Sequence, residues 1–334
     1  MPEVNIATMR APVGGLPPAG AAPLTGARTG ANGDRIFRIL VGAAAGFVLV
    51  SLVAAALSML YGGLPAFEKF GLGFLYRSVW DPVARDFGAL VPIYGTLVTS
   101  IISMLIAVPV SFGIALFLTE VAPLWLRGPI AAAIELLAGI PSIIYGMWGL
   151  FVFVPVMADW IEPWIATHLG VVTGLGALFS GPPLGIGMLT AGIILGIMVI
   201  PFISSVMRDV FALVPPPLRE SGFALGATRW EVVWGVVVPY TRTAVVGAIF
   251  LGLGRALGET MAVTFVLGNS HDLNLSLLMP STSIAATIAN EFTEADSPIY
   301  LSSLIALGFL LFVVTFIVLA AAKLMLMRLD REGR

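Results

Sequence analysis

Long apolar runs separated by short polar segments dominate the chain from residue 36 onward. Each run is near the roughly 20 residues that an α-helix needs to cross a bilayer, or is longer. Apolar residues follow one another without alternation, which excludes a membrane β-barrel. The pattern therefore predicts an all-α, polytopic membrane protein with about six transmembrane helices. The predicted spans cover residues 36–60, 92–118, 130–157, 184–207, 238–267 and 299–322.

Residues 1–34 lack this pattern and are rich in Gly, Pro and Ala. Such a composition cannot repay the entropy of ordering, so we expect a disordered cytoplasmic tail before a transmembrane domain at 35–334. Arg35 and Arg38 directly precede the first apolar run. This layout differs from that of a cleaved signal peptide, so we expect the first helix to be retained.

Composition supports the membrane assignment. Hydrophobic residues make up 58% of the chain and charged residues 11%, which excludes a soluble globular domain. Cysteine is absent from the sequence, which excludes disulfides, thiol catalysis and thiolate metal sites. The two histidines fall in predicted loops, so a histidine metal cluster is not expected.

Basic residues are distributed unequally between the two sides of the predicted spans. With the N-terminus inside, thirteen Lys and Arg residues fall in inner segments, and three, Lys69, Arg77 and Arg85, fall in outer ones. Because positive residues favour the cytoplasmic side, both termini are predicted to be cytoplasmic. The outer segments carry nine acidic residues, so the outer surface would not by itself attract an anion.

Three spans contain an internal proline, which removes a backbone hydrogen bond and is expected to kink the helix. These are Pro109, Pro141 and Pro201. Membrane helices tolerate proline, so each could provide curvature alone. The alternative is that kinked helices frame a cavity. Pro141 is the best candidate for that role because hydroxyls and small residues surround it in LLAGIPSIIYG, which also makes Ser142 a candidate for a substrate path.

The fifth span, GRALGETMAVTFVLGN, carries Arg255 and Glu259 one helical turn apart. On a continuous helix they would share one face. A central membrane charge costs about 2.5–3.5 kcal/mol, and pairing reduces this cost without removing it. One interpretation is a structural ion pair that fixes helix packing. The other is anion handling, because a guanidinium fork suits a tetrahedral oxyanion and Glu259 would neutralise it when the path is empty.

Two hydroxyls and a further carboxylate accompany this pair. Thr260 and Thr264 follow it directly, although Thr264 could instead bond to its own helix. Glu135, near the inner end of the third span, is expected to pair with Arg127 or with a partner subunit.

The segment between the fourth and fifth spans predicts a pair of short helices near residues 216–234. A triple proline starts it and Gly226 interrupts it. Its apolar side chains would face the cytoplasm and require cover, either from a groove on another protein or from lipid, as in an interfacial amphipathic helix. These apolar residues are Leu218, Phe223, Leu225 and Trp230.

This loop resembles the cytoplasmic signature of bacterial ABC importer permeases, E-A-A-x3-G-x9-I-x-L-P. Glu220, Gly226 and Pro239 match its fixed positions in register, whereas Ser221 and Gly222 replace the two alanines. The resemblance implies that the loop forms coupling helices that dock on an ATPase subunit. The implied ATPase-coupling residues are Leu218, Glu220, Phe223, Gly226 and Arg229.

Four further segments resemble the permeases of phosphate-specific ABC importers, the PstC family. They are IELLAGIPSIIYGMWGLFVFVP at 134–155, ALFSGPPLGIG at 177–187, VMRDVF at 206–211 and the fifth-span segment at 254–269. The resemblance implies the type I ABC importer permease fold in the bacterial inner membrane. It also implies a heterodimer with a PstA-type permease, two PstB-type ATPases and an extracytoplasmic PstS-type phosphate-binding protein.

The same resemblance implies a transport subunit without catalytic residues. ATP and Mg²⁺ would act on the partner ATPase, with no cofactor on this chain, which also lacks a G-x4-G-K-[ST] loop. The alternatives are a permease for molybdate or sulfate, and a passive anion channel. An intramembrane hydrolase is disfavoured because G-x-S-x-G and H-E-x-x-H are missing. The candidate substrate-path residues are Ser142, Arg255, Glu259, Thr260 and Thr264.

Overall fold

The computed structural model describes residues 30–332 apart from 171 and 173–175, and is predominantly α-helical. The tail predicted at 1–34 lies, up to residue 29, outside the described residues, and the first helix begins at Gly30. The chain separates into two compact units, 1–55 and 56–334. In the first unit the apolar helix is exposed, with Phe47 73% accessible.

The described part contains six helices long and apolar enough to cross a membrane, as predicted. The elements are α1 Gly30–Phe70, α2 Gly73–Tyr76, β1 Trp80–Asp81, β2 Asp86–Phe87, α3 Leu90–Leu116, α4 Leu124–Ala138, α5 Ser142–Trp148, α6 Val154–Val156, α7 Glu162–His168, α8 Met188–Ala212, α9 Pro216–Ala224, α10 Arg229–Val232, α11 Val238–Leu257, α12 Met261–Leu267, α13 Ile284–Glu291 and α14 Pro298–Glu332. Strands β1 and β2 form one antiparallel hairpin. π-Helical turns extend α3 over Phe117–Val121, join α5 to α7 over Gly149–Phe153 and Met157–Ile161, and precede α11 over Val233–Val237.

The core of the second unit is the pair α3 and α8. Gly192 of α8 faces Ile102, and a Cβ there would lie 2.6 Å from the Ile102 side chain, so the two helices approach closely. Ser111 of α3 donates a hydrogen bond to the Ile200 carbonyl at 3.0 Å. Such a bond between helices satisfies a hydroxyl that lipid could not.

The third span differs from the prediction of one helix over 130–157. Helix α4 ends at Ala138, the backbone is extended at Pro141 with ψ 138°, and a new helix begins at Ser142. Pro141 therefore precedes a helix, where its missing N–H costs nothing, and does not kink a continuous one. The helix in this region that is long and apolar enough to cross a membrane is Ser142–His168. By contrast, Pro109 and Pro201 do lie inside α3 and α8.

The expected pairing of Glu135 with Arg127 is also corrected. Glu135 lies 2.9 Å from Arg208 Nη2 on α8, whereas Arg127 Nε donates to the Ala122 carbonyl at 2.8 Å. The reason is tertiary, since α4 packs along α8 and brings Arg208 to the carboxylate.

Candidate functional site

The fifth span is broken where the sequence places its charges. Helix α11 ends at Leu257, and α12 begins at Met261 after a non-helical Gly258 and a Thr260 with φ −111°. Glycine is a poor helix former, which favours a break here. A gap of three residues therefore separates the helix that carries Arg255 from the helix that follows Glu259.

This break overturns the expected ion pair. Within the described residues, Arg255 and Glu259 do not lie within 4.0 Å of each other as a salt bridge. Glu259 Oε1 instead accepts a hydrogen bond from the Ala262 N–H at 3.3 Å. The first N–H groups of a helix have no partner inside the helix, so a carboxylate just before α12 satisfies one of them. Arg255 and Glu259 could share one helix face only if the helix were unbroken between them.

Arg255 lies in the last turn of α11 and is exposed on the surface of this chain. Its guanidinium carbon is 5.7 Å from the centre of the Phe202 ring on α8. Among the described residues no carboxylate lies within salt-bridge distance of it. The site therefore presents an arginine neutralised by none of the carboxylates described in this chain.

The helix that follows the break in the third span, α5, packs on the helix that follows the break in the fifth span, α12. Gly146 of α5 faces the first turn of α12, where a Cβ would lie 3.0 Å from the Met261 carbonyl oxygen and 3.1 Å from the Ala262 Cα. The absence of a side chain at Gly146 thus permits the close packing of α5 on α12. Contact between the two segments was not predicted, although Pro141 and Gly258 were visible signals of the breaks.

The hydroxyl candidates differ in their availability. Thr264 Oγ donates to the Thr260 carbonyl at 2.8 Å, which confirms the alternative that Thr264 bonds to its own segment. Thr260 lies in the break, and Ser142 is the first residue of α5; both are partly exposed. The structure therefore places Arg255 beside Phe202 of α8, and Thr260 and Ser142 at helix starts. The hydroxyl of Thr264 is already hydrogen-bonded to the backbone.

The loop between the fourth and fifth spans folds as the predicted pair of short helices, α9 and α10. Gly226 between them has φ +85°, a conformation that favours glycine. Thr228 and Glu231 form a capping box at the start of α10. Gly222 packs against Val232, so the pair folds back on itself. The expected apolar surface is present, with Leu218 42%, Phe223 44%, Leu225 89% and Trp230 69% exposed.

A polar cluster joins β1, α14 and the loop that carries His271 through one carboxylate at the end of α13. Glu291 accepts hydrogen bonds from Trp80 Nε1 at 2.6 Å and from the Tyr300 hydroxyl at 2.7 Å, and His271 Nε2 lies 2.7 Å from its other oxygen. Burial by itself would raise the pKa of Glu291, but these hydrogen bonds and the nearby His271 outweigh burial and lower the pKa. Sequence reasoning missed this cluster because its members are far apart along the chain.

Comparison with known proteins gives consistent matches. A family model described as "Binding-protein-dependent transport system inner membrane component" matches residues 89–331. A relative named "Phosphate transport system permease protein PstC" from Xylella fastidiosa is 63% identical over 302 residues, covering 90% of this chain and 93% of the relative. A protein of the same name from Mesorhizobium japonicum is 55% identical over 297 residues, covering 89% and 91%. A "Probable phosphate transport system permease protein PstC" from Methanocaldococcus jannaschii is 39% identical over 264 residues, covering 77% and 82%.

Proposed function

The chain belongs to the family of binding-protein-dependent transport system inner membrane components, and from that premise we propose that it is a permease subunit of an ATP-driven phosphate importer. The matched relatives are named phosphate transport permeases and cover most of the chain. In this proposal the chain forms half of the translocation path and performs no covalent chemistry itself.

Arg255 is the observation that carries the proposal. A charged side chain in a membrane span is costly unless it meets protein, water or a counter-ion. Arg255 is exposed, and no carboxylate among the described residues pairs with it. Its planar fork of donors suits a tetrahedral oxyanion and remains charged at any relevant pH. Phosphate would pass this guanidinium, with Ser142, Glu259, Thr260 and Thr264 along the same path.

The partners follow from this role. A second permease of the PstA type would cover the face that carries Arg255. A dimer of PstB-type ATPases, holding ATP and Mg²⁺, would dock on the exposed face of α9 and α10. The residues proposed for this coupling are Leu218, Glu220, Phe223, Gly226 and Arg229.

A PstS-type binding protein would deliver phosphate from the outside, because the outer segments are acidic and do not attract an anion. We place the chain in the bacterial inner membrane, with both termini in the cytoplasm. Closure of the ATPase dimer would move the 216–234 loop and open the path outward. Hydrolysis would return the path to the inward-facing state.

Uptake by the complete complex in proteoliposomes tests this proposal. The complex contains both permeases and the ATPase, with the binding protein outside and ATP inside. We expect uptake of radiolabelled phosphate that requires both ATP and the binding protein. Uptake of molybdate or sulfate without phosphate would assign another oxyanion, and uptake of phosphate without ATP would indicate a passive channel; either result would overturn the proposal.

A further inference from the structure

An ion pair links the coupling loop directly to the second membrane span. Arg219 lies in α9, and Glu120 lies in the π-helical turn Phe117–Val121 that extends α3. Arg219 Nη2 is 3.2 Å from Glu120 Oε1, with side chains 23% and 10% exposed. The pair is therefore more shielded from water and salt than a surface ion pair, whose contribution is small.

The pair is not fully engaged in this conformation. The same Nη2 donates a hydrogen bond to the Phe211 carbonyl, at the end of α8, at 2.6 Å. Within the described residues, Arg219 Nε and Glu120 Oε1 are buried without a hydrogen-bond partner. A guanidinium can bind a carboxylate through two parallel hydrogen bonds. A small movement of α9 could therefore exchange the Phe211 carbonyl for a complete, bidentate contact with Glu120.

Few other side chains of α9 are available to carry its motion to α3. None of the residues of α9 is buried. Leu218 and Phe223, which could pack inward, are each more than 40% exposed. Gly222 packs on Val232 of α10, which continues through the turn Val233–Val237 into α11, so this contact leads to the fifth span and not to α3. Arg219 is thus the side chain of α9 that is hydrogen-bonded to α8 and ion-paired with the end of α3.

We propose that Arg219 and Glu120 form an ionic latch, a positioning pair through which movement of the coupling loop displaces the inner end of the second span. This inference rests on the proposed function, because it assigns a route for the motion that an ATPase imposes on the loop. In the conformation described here the latch is half closed. A shift of α9 that seats the guanidinium on Glu120 would draw the end of α3 with it, because Glu120 lies in the turn that extends α3. Helix α3 in turn packs along α8 at the centre of the domain.

Glu120→Gln is the most direct test, because Glu120 lies on the span and outside the surface proposed to dock the ATPase. The assay uses the complete complex in proteoliposomes and measures phosphate transported per ATP hydrolysed, together with the amount of ATPase retained. We expect Glu120→Gln to lower this ratio about 5- to 150-fold, the range typical of coupling between two sites, while ATPase retention is unchanged. Glu120→Asp, which keeps the charge on a shorter arm, should lie between Gln and wild type.

A double-mutant cycle separates the latch from a general structural effect. Glu120→Gln should have no further effect on the ratio when Arg219 is already Gln, because the pair acts as a unit. Glu68→Gln is a matched control: Glu68 is exposed and has no ion pair within the described residues. A wild-type ratio in Glu120→Gln, or an equal loss in both Arg219 backgrounds, would overturn the latch. A wild-type complex that fails to transport phosphate would instead overturn the proposed function.

Discussion

Replacing Arg255 by Gln removes a charge while disturbing little of the fold. Inside this chain the variant loses the contact of the guanidinium with the Phe202 ring at 5.7 Å, a type of interaction worth about 0.5–1 kcal/mol at exposed sites. It also loses a positive charge in the last turn of α11, where such charges contribute about 0.3–1 kcal/mol. The free energy of unfolding should therefore fall by no more than about 2 kcal/mol, and the complex should still assemble.

The effect on transport should be much larger than the effect on stability. A hydrogen bond to a charged group contributes about 1.5–3 kcal/mol. If phosphate accepts such bonds from Arg255 as it passes, their loss slows uptake at sub-saturating phosphate by about 10- to 150-fold. Arg255→Lys keeps the charge but loses the planar fork, so its uptake should lie closer to that of Arg255→Gln than to wild type.

The assay is ATP-dependent uptake of radiolabelled phosphate by the reconstituted complex, normalised to the partner permease that copurifies. Arg38→Gln provides a matched control, because Arg38 is exposed near the start of α1 and has no ion pair within the described residues. Wild-type uptake by Arg255→Gln would rule out a role for this guanidinium in the path. Normal transport by a variant with Leu at both 255 and 259 would lead to the same conclusion for both charges.

Three other predictions test separate parts of the molecule. Leu225→Asp changes a side chain that is 89% exposed. It should weaken ATPase binding by about 2 kcal/mol or more, as at an interface hot spot, without changing the melting temperature of this chain. Unchanged ATPase retention on purification would exclude this face from docking. The pKa of Glu291 is lowered from 4.5 in the folded state, so its charged form stabilises the fold above pH 4.5, and this contribution is lost as pH falls through the lowered pKa. The free energies of unfolding of wild type and Glu291→Gln should therefore differ near neutral pH and converge below pH 4.5. A difference that stays constant on acidification would contradict this assignment. Gly146→Val, whose Cβ would lie 2.8 Å from the Phe265 ring, should cost about 1–3 kcal/mol of stability through overpacking. Gly113→Val, with nothing within 4 Å, should cost no stability, because valine is a better helix former than glycine. Equal melting temperatures for the two variants would argue against close contact of α5 with α12.

Local sequence signals were sufficient for the number of spans and for the pair of short helices near residues 216–234. The length and continuity of each apolar run determine whether a helix can cross a bilayer, and six such helices are present in the described part. Pro216, Gly226 and Thr228 set the bounds of α9 and α10 through their own backbone preferences and capping. The exposure of Leu225 and Trp230 also followed from sequence, because a short helix pair offers no interior for them.

Pro141 and Gly258 are local signals of possible breaks in the spans, but only the tertiary structure decided which charges meet. Glu259 had two possible partners, Arg255 or a free N–H at the start of α12, and the break after Leu257 selected the second. Glu135 pairs with Arg208, 73 residues away in sequence, and not with the nearby Arg127. Spacing along a chain determines which side chains share a helix face only while that helix is unbroken. Long-range ion pairs depend on how packed neighbours compete for the same polar groups, and that competition is not encoded in any local pattern.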